Sequence, residues 1–283
     1  MIISNLSQTP YSTIHSTFIK AFSDYKIPID TTLEELLFEN KQRGIDLNLS
    51  YGSFTTNGEL VGFIFCGKQI KDNKVDYYNG ATGVIPSFRC RNIGKELLIS
   101  AINNARENNA NSFTLEVLYE NTIAQKLYKS NGFSTTRDLF CYQKSIDSIE
   151  DIDTSLYSTY TPNLTNYTSI ISKLPLPFEP SWQSSFFSVS NIYNFLVTKI
   201  LIRDGKEIGF FILNPETGQI LQISAKDNCV NIMKILISLA SSLTKTKKLM
   251  FINIDSNSIF TSYLENDNWN LFAKQYEMKL CYK

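Results

Sequence analysis

Apolar positions recur along this chain with two spacings, and the switches between them mark its elements. Over residues 9–21 the apolar face falls at Ile14, Phe18 and Ala21, the spacing of a helix. A second helix is expected over 32–43, with Asp30 and Thr31 as candidate caps. Glu34 and Glu35 lie in its first turn, where their charge suits the helix dipole. The pattern then shifts to strands. Segments 49–56 and 60–70 flank Asn57-Gly58, a strong hairpin signal because both residues tolerate the positive φ of a tight turn. Asp72-Asn73 sets the next turn, before a strand over 75–85. Residues 93–106 are amphipathic, with Leu97, Leu98, Ala101, Ile102 and Ala105 on one face. A short apolar strand follows at 112–118, a helix at 122–130, and two further strands within 133–144. Helices placed between strands argue for a mixed α/β sheet with at least one crossover.

Residues 145–166 are polar, with Asp147, Glu150, Asp151 and Asp153 followed by Ser and Thr, and read as a linker. Beyond it the elements repeat in order. A hairpin turns at Asp204-Gly205 between strands 195–202 and 208–213. Then come a strand at 220–224, an apolar helix at 231–243, a strand at 249–254, a short helix at 259–264 and a last strand at 271–281. This is the order of the later half of the first region, so a duplicated fold is the simplest reading.

Composition narrows the classes. With 283 residues, 43% of them hydrophobic and 19% charged, the chain can bury two cores and does not read as disordered. Lys plus Arg and Asp plus Glu number 27 each, and no basic stripe stands out, which argues against a nucleic-acid partner. The N-terminus lacks the basic start and apolar run of a signal peptide, and no window reaches the length of a membrane span. A cytoplasmic location without membrane contact is therefore expected. The cysteines at 66, 90, 141, 229 and 281 form no Cys-x-x-Cys pair, and His15 is the single histidine. Neither a metal site nor a disulfide framework is expected. His15 reads as a half-exposed residue of the first helix.

Two segments carry chemistry. Val84-Ile85-Pro86-Ser87-Phe88-Arg89-Cys90-Arg91-Asn92-Ile93-Gly94-Lys95 reads as a strand end, a turn rich in backbone N–H groups and a helix start. Free amides and the helix dipole converge there on one point, an arrangement suited to phosphate; taken alone it is equally an ordinary strand–helix turn with surface charges. Asn121-Thr122-Ile123-Ala124-Gln125-Lys126-Leu127-Tyr128-Lys129-Ser130-Asn131-Gly132-Phe133 reads as a strand end, an amphipathic helix and a Gly-Phe entry into the next strand. In this order the two segments resemble the GCN5-related N-acetyltransferase (GNAT) family. Residues 89–94 follow Arg/Gln-x-x-Gly-x-Gly/Ala, with Asn92 in place of the first glycine; asparagine is among the residues that best tolerate a left-handed backbone. The pattern Asn-x-x-Ala-x-x-Leu-Tyr-x-x-x-Gly-Phe is complete over 121–133.

The resemblance covers about residues 1–145 and implies a fold class of α/β (α+β). Two GNAT-like domains are expected, each a mostly antiparallel twisted sheet with a central parallel pair and flanking helices. The bounds are 1–145 for a catalytic domain, 146–165 for a linker and 166–283 for a degenerate copy. The resemblance also implies acetyl-CoA as co-substrate, without a metal, and an N-acetyltransferase reaction by direct attack in a ternary complex. The acceptor would be a small-molecule or peptide amine. Its cofactor site would be Thr82, Gly83 and Val84 of a splayed strand, the turn Arg89, Arg91, Asn92, Ile93, Gly94 and Lys95, and Asn121. Tyr128 would be the acid that protonates the leaving thiolate. The base is Glu116, in a Leu115-Glu116-Val117 segment that resembles the one in bacterial ribosomal-protein alanine acetyltransferases, or else Asp76 or Tyr77 on the preceding strand; Glu116 reads equally as a solvent-facing or ion-paired residue. Asp24 and Tyr25 lie where the family's acceptor loop would be. A non-catalytic acyl-CoA sensor or partner-binding module is the alternative. The segment Phe178-Glu179-Pro180-Ser181-Trp182 reads as either a wall of the acceptor site or packing. In the second copy Leu264 falls opposite Tyr128 and Ile252 opposite Glu116, so no coenzyme A binding is expected there.

Overall fold

A computed structural model describes residues 1–24 and 30–282. They form two compact units, Met1–Thr136 with Glu277–Lys283, and Arg137–Tyr276.

In the first unit the chain runs through Ile2–Asn5 (β1), Tyr11–Ala21 (α1), Leu33–Arg43 (α2), Tyr51–Phe54 (β2), Leu60–Lys71 (β3), Lys74–Val84 (β4), Ile93–Glu107 (α3), Ser112–Leu118 (β5), Thr122–Ser130 (α4) and the start of Ser134–Ser145 (β6). The sheet order begins β1-β2-β3-β4-β5. Neighbours are antiparallel except β4 and β5, the crossover pair joined through α3. The turns form where their residues allow them: Asp72, Asn73 and Gly58 all have positive φ. Helix α2 begins at Thr32 rather than at the expected Asp30 or Thr31. The Thr32 hydroxyl accepts from the Glu35 N–H while the Glu35 carboxylate accepts from the Thr32 N–H, a reciprocal capping box. Helix α1 buries Ile14, Phe18 and Ala21 with Leu36, Phe63 and Phe65, and α3 buries Leu97, Leu98, Ala101 and Ala105. Each such large side chain contributes about 2 kcal/mol by leaving water. His15 is half-buried, with Nε2 2.6 Å from the Thr31 carbonyl oxygen.

Residues 277–282 complete this unit. The Tyr282 N–H donates to the Asn111 carbonyl just before β5, and the hydroxyls of Ser134 and Thr136 donate to the carbonyls of Lys279 and Glu277. The unit is therefore discontinuous in sequence, and its bounds differ from the expected 1–145. One strand also replaces the two expected over 133–144. Residues 134–145 continue without a break, with neither Gly, Pro nor Asn among them to turn the chain.

The second unit holds the rest of β6, then Ser158–Tyr160 (β7), Leu164–Lys173 (α5), Phe186–Ile192 (α6), Val197–Arg203 (β8), Lys206–Asn214 (β9), Gln219–Ala225 (β10), Val230–Leu243 (α7), Lys248–Asp255 (β11), Ile259–Asn266 (α8) and the start of Asn270–Cys281 (β12). Its strands run in the order β6-β11-β10-β9-β8-β7, with β10 and β11 as the parallel pair. Residues 146–165 are not a linker throughout. Ser158–Tyr160 pairs with β8, and Asn163 caps α5 by accepting from the Asn166 N–H. Phe178 and Trp182 pack inside this unit, Phe178 stacking on Phe260 at 5.6 Å and Trp182 meeting Phe187 edge-on at 5.8 Å.

Candidate functional site

Pairing between β4 and β5 runs from Asp76↔Ser112 to Asn79↔Leu115. There β4 bulges: its register against β3 shifts between Asn79 and Ala81, which leaves Gly80 as the extra residue. A Cβ on Gly80 would sit 2.7 Å from the tip of the Ile45 side chain, which would have to shift to admit one. Beyond the bulge β4 continues to pair with β3 on one side. The Ile85 N–H donates to the Val61 carbonyl at 2.9 Å. Peptide groups alternate sides along an antiparallel ladder, so those of Gly83 turn toward β3 and those of Thr82 and Val84 turn away from it. Gly83 also gives room for packing: a Cβ on it would lie 2.7 Å from the Phe63 ring. The Thr82 hydroxyl and the Asn79 side chain bond to each other across the bulge at 2.9 and 3.1 Å.

The turn after β4 carries two residues in left-handed conformation, Cys90 (φ 61°) and Asn92 (φ 62°). Asn92 adopts the backbone that a glycine would, and it precedes α3 without a side-chain capping bond. Its side chain therefore leaves the first N–H groups of α3 to another acceptor, in a turn whose alternation of backbone hands suits an anion. Ile93 is buried and anchors the helix start, while Lys95 is exposed in the first turn. A Cβ on Gly94 would meet nothing nearer than Leu127 at 3.8 Å, so the space above Gly94 is open. Arg91 donates to the Ser87 carbonyl at 3.2 Å and lies over the Phe88 ring at 5.3 Å.

Arg89 does something its position in the motif did not announce. Its guanidinium donates to both oxygens of Asp24 at 2.6 and 2.8 Å, to the Ala21 carbonyl at 2.8 Å and, through Nε, to the Val84 carbonyl at 3.1 Å. It ties the turn to the end of α1 and to the last residue of β4. The hydrogen bond from Arg89 holds the Asp24 carboxyl below its usual range. Asp24, expected at the acceptor, is thus engaged by Arg89; Tyr25 lies outside the described residues.

Glu116 sits on β5 just past the last paired residue. The Tyr78 hydroxyl donates to its Oε2 at 2.6 Å. Arg43, the last residue of α2, bonds Glu39 at 3.2 Å. Burial pushes the Arg43 guanidinium down, but Glu39, Tyr78 and Glu116 outweigh it and hold it above its ordinary value. The other candidate bases stand elsewhere. Asp76 accepts from Ser112 at the far end of the paired segment. Tyr77 is buried, donates to Asn104 on α3, and is pushed up to about 12, chiefly by burial. Tyr128, on α4, is buried with its ring against Phe133 at 5.9 Å. Asn121 caps α4 by accepting from the Ala124 N–H through Oδ1. Sequence reasoning missed Tyr78 and Arg43; their signal lies in cross-strand and helix-end contacts, not in a motif.

In the second unit β10 bulges between Ile220 and Gln222, and its parallel register with β11 is Gln219↔Met250 alone. The same opening exists, but its turn is short. Residues 226–229 span the distance from β10 to α7 where 85–92 link β4 to α3. Ser258 caps α8 by accepting from the Thr261 N–H, as Asn121 caps α4.

The match to known proteins follows this geometry. Residues 14–133 match the acetyltransferase (GNAT) family model. Over 95 residues the chain is 36% identical to a [ribosomal protein bS18]-alanine N-acetyltransferase of Haemophilus ducreyi, spanning 34% of this chain and 61% of that protein. Over 86 residues it is 33% identical to N-alpha-acetyltransferase 30 of Dictyostelium discoideum, spanning 30% and 46%. The chain thus spans less than two thirds of either relative. A tandem GNAT protein from the clavulanic acid biosynthesis pathway superposes with a TM-score of 0.70 over 99% of this chain and 98% of its own, at 13% identity, a likeness of fold. The domain built around residues 14–133, with its bulged strand and left-handed turn, is thus the part of this chain that matches the acetyltransferase (GNAT) family.

Proposed function

We propose that this protein transfers the acetyl group of acetyl-CoA to a primary amine within a ternary complex, using the first unit alone. The observation that carries the reading is a juxtaposition. The left-handed turn at Cys90 and Asn92 follows directly on a strand whose pairing with β5 stops at Asn79↔Leu115, just short of Glu116.

Acetyl-CoA, when bound, supplies an activated thioester. The N–H groups opening α3, with Arg91 and Lys95 as counter-charge, suit its pyrophosphate, and Gly94 leaves the backbone accessible. Arg89 secures that turn through Asp24. The outward peptide groups of Thr82 and Val84 suit the pantetheine arm, and a fixed N–H there stabilises charge developing on the acetyl oxygen. Asn121 has Oδ1 engaged in its cap, so its Nδ2 amide would be the donor to the arm. Glu116 takes the proton of the attacking amine. As the carbon–sulfur bond breaks, Tyr128 gives the sulfur its proton; a phenol with a reference pKa of ~10 retains one at neutral pH.

The acceptor class is inferred from the relatives. One is named for an alanine of a ribosomal protein and the other for an α-nitrogen, so we infer a peptide α-amine as the first acceptor to test. Thiol release from acetyl-CoA with full-length protein and a panel of free-N-terminus peptides and small amines is the experiment, with calorimetry for coenzyme A. One binding site and release on at least one acceptor are expected. Tight binding without release on any acceptor favours the sensing module, toward which the replacement of glycine by Asn92 also points. No binding overturns both.

A further inference from the structure

We propose that Tyr78 and Arg43 are positioning residues for Glu116: Tyr78 fixes the plane of its carboxylate, and Arg43, at the end of α2 seated beside Tyr78, supplies its counter-charge. The inference deepens the reading of Glu116 as the base and rests on it for its consequence in catalysis, but not for its physical content.

A glutamate on a strand has three rotatable bonds, and a base that swings cannot hold one oxygen toward an amine. The Tyr78 hydroxyl, donating to Oε2 at 2.6 Å, removes much of that freedom. Tyr78 is itself well held. It is 1% exposed and lies opposite Gly67 of β3. The approach of α2 depends on that glycine: a Cβ on Gly67 would sit 2.8 Å from the Arg43 carbonyl oxygen and 2.9 Å from that of Gly44. Gly44 turns the chain with φ 66°, and Ile45 bridges to Gly67. The end of α2 is thereby seated on the strand next to Tyr78. The Arg43 side chain is 20% exposed, and Glu39, one turn earlier, steers the guanidinium at 3.2 Å.

Among the described residues, Tyr78 of β4 bonds Glu116, and Arg43 at the end of α2, with Glu39 one turn before it, feels the charge of Glu116; on β5 its neighbours Leu115 and Val117 are apolar. A cation and a phenolic donor both favour the charged carboxylate. A base whose amine substrate arrives protonated gains from that, because the ionised carboxylate both attracts the ammonium and accepts its proton. Arginine suits this role, since it stays charged in a site that would strip the proton from a buried lysine.

The experiment follows the carboxyl carbon shift of Glu116 in the full chain labelled at glutamate, the resonance being the one lost in Glu116→Gln. In Tyr78→Phe and in Arg43→Met the titration midpoint is expected to rise by about one unit or more. Arg43→Lys should keep it within about half a unit, since the charge remains. Tyr78→Phe retains the ring, so it carries the test alone if Arg43→Met does not fold. Unmoved midpoints in both variants overturn the proposal. With an acceptor in hand, Tyr78→Phe should lower kcat about tenfold or more while the KM for acetyl-CoA stays within about twofold. Midpoints that move in a protein that acetylates nothing leave the positioning intact and remove the acetyltransferase reading. Turnover with fixed midpoints does the reverse.

Discussion

The two units open the same gap and treat it in opposite ways. In the first, β4 bulges at Gly80, parts from β5 after Asn79↔Leu115, and keeps Tyr78 and Glu116 beside the opening. In the second, β10 bulges at Leu221 and parts from β11, and the chain itself bridges the two sides. Gln222 and Ser224 of β10 bond the Ser184 and Pro175 carbonyls, donating at 2.7 and 2.8 Å. Arg137 donates to the Glu179 and Pro180 carbonyls at 2.6 and 3.3 Å and lies 3.6 Å from Asp255 at the end of β11. Between these anchors Phe178 stacks on Phe260, within the apolar core. Segment 175–184 is thus an internal strap across the second gap, and the Tyr167 hydroxyl bonds Gln222 beneath it. A splayed strand pair exposes peptide groups and apolar surface whose cost must be met by something. A fold can meet it with a ligand or with its own backbone, and the sequence between α5 and α6 decides which.

Substitutions at the first gap should have the largest effect. Glu116→Gln and Tyr128→Phe should each lower turnover roughly 100- to 1000-fold with coenzyme A affinity retained, as expected for proton-transfer groups. Steady-state kinetics with calorimetry checks this, and wild-type turnover in Glu116→Gln would hand the base role to water. Next in size is the strap. Phe178→Ala should cost about 3 kcal/mol in denaturant unfolding, the usual loss for a buried aromatic, while coenzyme A binding stays at one site. A second site appearing in that variant would mean that the strap, and not the short turn 226–229, closes the second gap.

Gly94→Val probes the phosphate turn, which the second unit lacks. The fold has room for the new side chain, so stability should hold while coenzyme A affinity falls about tenfold or more, one contact's worth of binding energy. Asn92→Gly should do little, with affinity equal or up to about threefold tighter, because the backbone is already left-handed. Asp24→Asn is the smallest effect. The folded carboxyl titrates below its ordinary range, so its stabilising contribution is complete above about pH 4 and fades as pH falls through the depressed value. Unfolding midpoints of wild type and Asp24→Asn should therefore differ slightly at neutral pH and converge in acid.

Elements specified by near neighbours were legible in the chain. The turns at 57–58, 72–73 and 204–205 carry residues that take positive φ, and Thr122–Ser130 and Ser112–Leu118 fall where apolar spacing set them. Asn92 was legible as a left-handed residue because asparagine tolerates that conformation. What could not be read depends on partners far away in sequence. Arg89 and Asp24 are 65 residues apart, and Tyr78 and Glu116 38 apart. No local rule couples them. Helix α5 was hidden for another reason: Thr165, Asn166, Thr168 and Ser169 are weak helix formers, and they mask the spacing of Tyr167 and Ile170, which it buries. The long β6 reads as two strands in sequence because the partners of its two halves, residues 277–279 and β11, are both remote from it.

The split of the first unit along the sequence shapes how the protein is made. Residues 277–282 hydrogen-bond to Asn111, Ser134 and Thr136, so the unit begun first is finished last. At typical synthesis rates roughly 7–30 s separate the emergence of Thr136 from that of Glu277. For that interval β5 waits with an unpaired edge, a site open to chaperones and to other nascent chains. A proteolytic nick that removes residues 277–282 therefore strikes a unit whose other strands lie more than a hundred residues upstream.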